Sequence, residues 1–253
     1  MPYRFLVLLS LYSCGLYCQS VYFPDAQFKK ALLNHYPVID VNFDGEISVK
    51  EAASYTGMLN VSLKQIKDLS GIEAFENLTG LKCNHNQIEA LDLSKNTALT
   101  FLGCLDNQLQ TLNLKANKNL KQLICFANKL ESLDVTENSK LEVLQCDRNR
   151  LKTLSLATHS KLKQLSCYDN VLETLVLPES SQLTKLIAYN NALSKLRVDH
   201  QIHLQQLLLH HNLIGILDYE KLIALKELSC DRKLDQSLPL AFKKGLKKQT
   251  VFP

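Results

Sequence analysis

A chain of 253 residues with 46% hydrophobic content can bury one sizeable core with a small appendage. Its formal net charge of +4 is spread thinly, which argues against a dedicated nucleic-acid binder with Lys and Arg gathered on one face. The one dense basic patch, Lys243-Lys244 with Lys247-Lys248, reads as a solvated helix or tail.

In chain order, the first segment carries an address. Arg4 supplies a positive start, and Phe5 to Tyr17 is an apolar run too short to span a bilayer. A polar break follows at Gln19-Ser20. Residues 1–20 therefore read as an export signal, cleaved near Cys18 or Ser20. Leu11-Tyr12-Ser13-Cys14 loosely resembles a lipoprotein cleavage box, which keeps a lipid anchor as the alternative. No later segment is apolar enough to cross a membrane. The mature chain is expected to be secreted or held at the cell surface.

Residues 21–55 read as a helical cap, with a helix near Ala26 to Tyr36 stopped by Pro37 and a second ending around Gly57. Between them, Asp40-Val41-Asn42-Phe43-Asp44-Gly45-Glu46-Ile47-Ser48-Val49-Lys50-Glu51 resembles the EF-hand calcium loop at every ligand position. The resemblance implies side-chain oxygens from Asp40, Asn42 and Asp44 and a backbone carbonyl from Glu46. Ser48 would contribute directly or through water, and Glu51 would close the site with two oxygens. No second loop is present, which sets this apart from paired signalling EF-hands. The expected ion is a structural Ca2+ held at roughly 10⁻⁴–10⁻³ M. The alternative is a calcium-free helical cap of the kind seen in internalin-like proteins.

Periodicity dominates residues 56–233. Leucines fall at Leu78, Leu99, Leu120, Leu141, Leu162, Leu183, Leu204 and Leu225, each 21 residues from the next. Three residues further stand Leu81, Leu102, Leu123, Leu144, Leu165, Leu186, Leu207 and Leu228. Two beyond those come Cys83, Cys104, Cys125, Cys146, Cys167, Ala188, Leu209 and Cys230. An Asn column then runs through Asn86, Asn107, Asn128, Asn149, Asn170, Asn191 and Asn212. In Leu-x-x-Leu-x-Cys the second Leu and the Cys are two apart, so both face one side of a short strand. Stacked repeats then make a parallel sheet over a continuous core, with the Asn column as an amide ladder where the chain turns.

This pattern resembles the leucine-rich-repeat family, and within it the 21-residue bacterial type called IRREKO; Leu120 to Asn138 match it closely. The implied fold is an α/β solenoid, a right-handed coil with a parallel β-sheet, weakly curved, with a short helical N-terminal cap. A degenerate opening repeat spans Leu59, Val61, Ile66, Leu69 and Ile72. Past Cys230 the pattern is lost, and residues 234–253 read as a C-terminal cap in which Pro239, Leu240, Phe242 and Leu246 cover the last turn.

Six of the eight cysteines share one inward column, which favours free buried thiols over disulfides, zinc or redox chemistry. Residues alternating with that core face outward: Phe101, Leu105, Ile124, Phe126, Gln145, Tyr168, Ile187, Tyr189, Leu208 and His210 form an apolar, aromatic-rich stripe. The opposite arm is polar, as at Thr111, Asn113, Lys115, Ser132 and Asp134. Apolar stripes on an array tend to mark partner surfaces, although β propensity alone also favours such residues on a sheet. His200, His203, His210 and His211 read as surface histidines. No catalytic pattern interrupts the repeat, so an enzyme is not expected. The expected function is binding of a protein, peptide or glycan at the sheet face. The alternative is an envelope-organising protein that associates with itself.

Overall fold

The structure, a computed structural model, describes residues 19–179 and 182–253. Its strands in chain order are β1 (Met58–Asn60), β2 (Gly80–Lys82), β3 (Phe101–Gly103), β4 (Gln122–Ile124), β5 (Val143–Gln145) and β6 (Thr153–Ser155). They continue with β7 (Gln164–Ser166), β8 (Thr174–Val176), β9 (Lys185–Ile187), β10 (Gln206–Leu208), β11 (Glu227–Asp231) and β12 (Lys248–Phe252). Among the described residues, β6 and β8 pair separately and the other ten form one parallel sheet. Leu81 stands beside Leu102, Leu102 beside Leu123 and Leu123 beside Leu144, so the repeat seen in the sequence is the register of the sheet. The chain is a leucine-rich-repeat solenoid.

Among the described residues, helix is confined to the two ends of the repeat array: α1 (Ala26–Leu33), α2 (Val49–Ser54), α3 (Arg232–Ser237) and α4 (Leu240–Gly245), plus a 3₁₀ turn at Ile72–Ala74. A coil this short leaves too few residues on its return arm for a helix of ordinary length. The arm instead runs extended and reverses through tight turns, as where Asn117 N–H donates to Leu114 and Leu120 N–H to Asn117. The first and second Leu columns and all six cysteines lie in the core, with the thiols fully buried and unpaired. Burial drives the thiols away from ionisation, pushing Cys104 up to about 12 and Cys230 up to about 11.

The Asn column joins each coil to the one before it. Asn128 Nδ2 donates to Cys125 O at 3.1 Å and to Cys104 O at 3.0 Å, while its Oδ1 accepts from Leu109 N–H at 3.0 Å. Asn107, Asn149, Asn170 and Asn191 repeat this set in their own coils. The ladder is less deeply buried than expected: Asn107, Asn128 and Asn170 are buried, but Asn86, Asn149, Asn191 and Asn212 are half-buried. The residue before each Asn, from His85 and Asp106 to Asn190 and His211, has positive φ of 51–56°. That left-handed step turns the chain out of its strand and aims the amide back at it. A second, fully buried column at Asn96, Asn117 and Asn138 donates through Nδ2 to the preceding coil, but its Oδ1 atoms accept nothing.

Both caps differ in detail from the sequence expectation. Helix α1 ends at Leu33, short of Tyr36, and α2 ends at Ser54. Asp25 fastens the N-terminal cap. One oxygen caps α1 through Gln27 N–H and Phe28 N–H, and the other accepts from Lys67 and Asp68 N–H in the opening coil. Burial pushes its carboxyl up, but these four amide bonds outweigh it and hold it below its ordinary value.

At the other end, the repeat does not stop at Cys230. Strand β12 adds a rung in register, with Glu227 beside Lys248 and Asp231 beside Phe252. Leu234 and Leu238 are the buried cap residues, with Phe242 and Leu246 packing beside them; Pro239 is exposed and Leu240 is 65% exposed. Leu240 points outward because it opens α4, whose apolar contacts come from Phe242 and the following Leu246.

Replacing Asn128 by Ala strips partners from the buried Leu109 N–H and from two carbonyls. It should lower stability by about 1–3 kcal/mol, measured by chemical denaturation against Thr111→Ala as a surface control. The six core thiols should resist a soluble aromatic disulfide reagent in the native protein and react together once denatured.

Candidate functional site

The expected partner residues stand on one face of the main sheet, in three columns set by the register. Phe101 belongs to the first; Ile124, Gln145, Ile187 and Leu208 to the second; Leu105, Phe126, Tyr168, Tyr189 and His210 to the third. All ten are half-buried. They face outward as the alternation predicts, each partly covered by its neighbours. Rungs at strand spacing, roughly 4.8 Å, let each side chain cover its neighbours. The most exposed large apolar side chains lie elsewhere, such as Ile216 at 82% and Ile223 at 83%.

The third column has a geometry that residue types alone do not reveal. Tyr168 and Tyr189 stack with ring centroids 4.5 Å apart, Tyr189 and His210 at 4.5 Å, and His210 and Phe252 at 4.1 Å. The planes are within 16° of parallel. His211 closes the far end edge-on against His210 and Phe252. Phe252 was missed because its strand lacks the core Leu, yet it stands 21 residues after Asp231 in the sheet register. Burial and the neighbouring His211 hold His210 below the usual imidazole range, which favours the neutral ring inside the stack.

Asp147 interrupts the column one rung before Tyr168. It is only 4% exposed. Its Oδ1 accepts from Ser166 Oγ at 2.5 Å and from Tyr168 N–H at 3.1 Å. Burial outweighs these bonds and pushes the carboxyl up to about 6. A shallow hollow of about 50 Å³ lies over the first and second columns, lined by Gln145, Gln164, Leu165, Ser166, Lys185 and Ile187.

The second candidate site is the cap loop. Asp40 is buried and accepts from Asp44 N–H at 3.3 Å through Oδ1 and from Gly45 N–H at 3.0 Å through Oδ2. Asn42 Oδ1 accepts from Asp44 N–H, and Asp44 Oδ1 from Glu46 N–H. Glu51 reaches back across the loop, taking Val41 N–H on Oε1 and both Ser48 N–H and Oγ on Oε2. Burial raises the Glu51 carboxyl, but the bonds from Ser48 and Val41 outweigh it and keep it below its ordinary value. Glu46 turns its side chain away to Lys29 at 2.5 Å, leaving its carbonyl for the loop. Phe43 and Gly45 have positive φ at 59° and 81°, which winds the chain tightly around Asp40. The donors are all oxygen, as a hard cation requires. Their carboxylates are spent on loop amides, and among the described residues no three His, Cys, Asp or Glu side chains gather closely enough to hold a metal.

Of the export signal expected over residues 1–20, residues 1–18 lie outside the described residues. Gln19 and Ser20 run beside the loop, where Gln19 O accepts from Val49 N–H and Ser20 bridges Ser48. Among the described residues no helix is long and apolar enough to cross a membrane.

Solved leucine-rich-repeat proteins share this architecture. The functional domain of InlJ from Listeria monocytogenes, described as including a cysteine ladder, is 27% identical with a TM-score of 0.58. That alignment covers 92% of this chain and 61% of the InlJ domain, so the present chain spans less than two thirds of its length. Internalin C2 from the same species aligns over 81% of this chain and 92% of its own, at 23% identity and a TM-score of 0.67. The leucine-rich-repeat domain of APL1B aligns over 68% and 62%, at 20% identity and a TM-score of 0.54. No protein-family model matches the chain, and no curated protein matches it.

Proposed function

We propose that this chain is an exported, non-catalytic recognition module of the 21-residue IRREKO type, whose sheet face binds a protein. The observation that carries this reading is the aromatic column Tyr168–Tyr189–His210–Phe252, set among Ile124, Ile187 and Leu208. A sheet needs none of these rings for its own fold, since its core is complete behind them. Rings clustered on one face supply rigid apolar area at little cost in conformational entropy, as in interface hot spots. The stacking also bears on the kind of partner. Faces turned on one another are closed to a flat sugar ring, while their edges and the half-buried aliphatic column remain open to a protein or peptide surface. The likeness to InlJ and internalin C2 supports the same reading through the shared fold.

The competing assignment is self-association, through the ends of the solenoid or the same face. Sedimentation across a hundredfold range of concentration separates the two. A constant monomer supports recognition of another molecule, and a concentration-dependent oligomer supports self-assembly.

The cap loop fits the reading as a structural Ca2+ site with Asp40, Asn42, Asp44, the Glu46 carbonyl, Ser48 and Glu51 as its ligands. An ion there would draw together carboxylates that now hold amides, and would stiffen the cap against β1. Millimolar calcium should raise the melting temperature of the wild type by several degrees and leave Asp40→Ala/Glu51→Ala unmoved; equal responses remove the site.

For the face itself, Phe126→Ala with Tyr168→Ala should reduce capture of a binding protein from a native extract by at least tenfold, with thermal stability and thiol protection retained. Undiminished capture by the double variant places recognition elsewhere.

A further inference from the structure

The opening coil departs from the repeat at the position where the later coils are most alike. Strand β1 pairs Leu59 with Leu81, and the same 22-residue step carries Lys64 onto Asn86, the first rung of the amide ladder. Leu63 N–H donates to Asn84 O as His85 N–H donates to Leu105 O, so the register holds up to the turn. Lys64 thus stands where each following coil, as far as Asn212, has its ladder Asn; its side chain is exposed and tied to nothing among the described residues. The later coils leave their strands on one left-handed residue, but this coil uses two, Leu63 and Gln65, each at φ 60°. A non-glycine residue held there is strained unless its surroundings impose it.

That turn is one wall of a recess whose other wall is α1. Gln27, Lys30 and Asn34, spaced by three and four, share the side of α1 and its C-cap that looks across at residues 60–65, with the buried Ala31 behind them. Two ties hold the walls together: Asp25 accepts from Lys67 N–H at 2.7 Å, and His35 Nε2 accepts from Asn60 N–H at 3.1 Å. The space between them is about 570 Å³, within the roughly 300–1,000 Å³ of small-molecule sites. Lys30 and Lys64 line it, and no Asp or Glu does. Among the described residues neither ammonium meets a carboxylate, whereas the adjacent Lys29 is taken by Glu46. Asn34 Nδ2 is spent on Lys30 O, which leaves its Oδ1; Asn60 Oδ1 is spent on Ser62 N–H, which leaves its Nδ2. Tyr36 and Leu63 add apolar surface to the lining, 90% and 74% exposed.

We infer that this recess is a second binding site, and that it takes a carboxylated sugar, the hexuronic-acid type of unit found in acidic glycans. Lys30 and Lys64 receive the carboxylate as flexible point charges. The carboxamides of Gln27, Asn34, Asn60 and Gln65 offer donors and acceptors side by side, which is what ring hydroxyls need, since each hydroxyl both donates and accepts. Tyr36 and Leu63 meet the C–H face of the ring. A flat apolar cofactor finds too little apolar lining here. A neutral sugar leaves both cations without a counter-charge, and a bare inorganic anion leaves the carboxamides and the tyrosine unused. The site is independent of the sheet face, because none of that face's ten expected partner residues lines the recess. Either reading can fail without the other.

The test titrates methyl glucuronide, methyl glucoside and a blocked Gly-Glu-Gly peptide into the whole chain while the Asn60 and Gln65 backbone amide resonances are followed. The glucuronide should shift both. The glucoside keeps the ring without the carboxylate, and the peptide keeps a carboxylate without the ring; each should bind at least fivefold more weakly. Lys30→Gln/Lys64→Gln should bring the glucuronide down to the glucoside level. Its denaturation midpoint should match the wild type, since both side chains are exposed. Tyr36→Ala should weaken both sugars by a similar factor and leave the peptide unmoved. Equal binding of glucoside and glucuronide overturns the inference, because the charge then selects nothing. Equal binding of the peptide overturns it in favour of an acidic peptide. An unchanged double lysine variant, or no shift with any probe, removes the site.

Discussion

Everything in this molecule hangs on one repeated side-chain amide. Each Asn of the first column binds carbonyls in its own coil and the preceding one, and accepts an amide hydrogen from that preceding coil. Backbone hydrogen bonds tie neighbouring coils through the strands and into the turn, while apolar packing has no direction. The amide adds a side-chain link at the point where the strand ends and the chain must leave it. The left-handed residue before each Asn belongs to the same device, since it aims the side chain inward.

With the coils locked in register, every position in a repeat becomes a straight column. Inside, that produces the row of buried thiols, pushed far from ionisation and serving as small apolar groups. Outside, it brings Tyr168, Tyr189 and His210 together as a stack on successive rungs, to which Phe252 adds across the rung held by Asp231. The face and the core follow from one spacing, read on opposite sides of the strand. InlJ, whose described feature is a cysteine ladder, shares this architecture over most of the present chain.

What the sequence disclosed was governed by how strictly each feature obeyed the period. The Leu, Cys and Asn columns were legible because many residues of one type recur in phase, and the strands lie where those columns place them. Strand β12 was not, because Gln249 and Val251 fill its inward positions and no Leu marks it; with it Phe252, the last ring of the stack, went unnoticed. Asp147 falls on the outward column by its spacing alone. Its burial and its bonds from Ser166 and Tyr168 are encoded by no spacing. The half-burial of the face was equally hidden, since it arises from contact between residues 21 apart. In the cap, the loop was plain as a string of oxygen donors, whereas the grip of Asp40, Asp44 and Glu51 on loop amides is a matter of side-chain direction.

Uniform coils make length a free variable while pitch stays constant. A whole unit inserted or excised between two coils meets the same donors and acceptors on either side, so the join is silent to the backbone. A single-residue insertion within a coil has no such welcome: it throws every later side chain to the wrong side of its strand. Genetic change in such an array is therefore quantised, and the surface grows or shrinks by whole rungs, with each new rung free to carry a different outward residue.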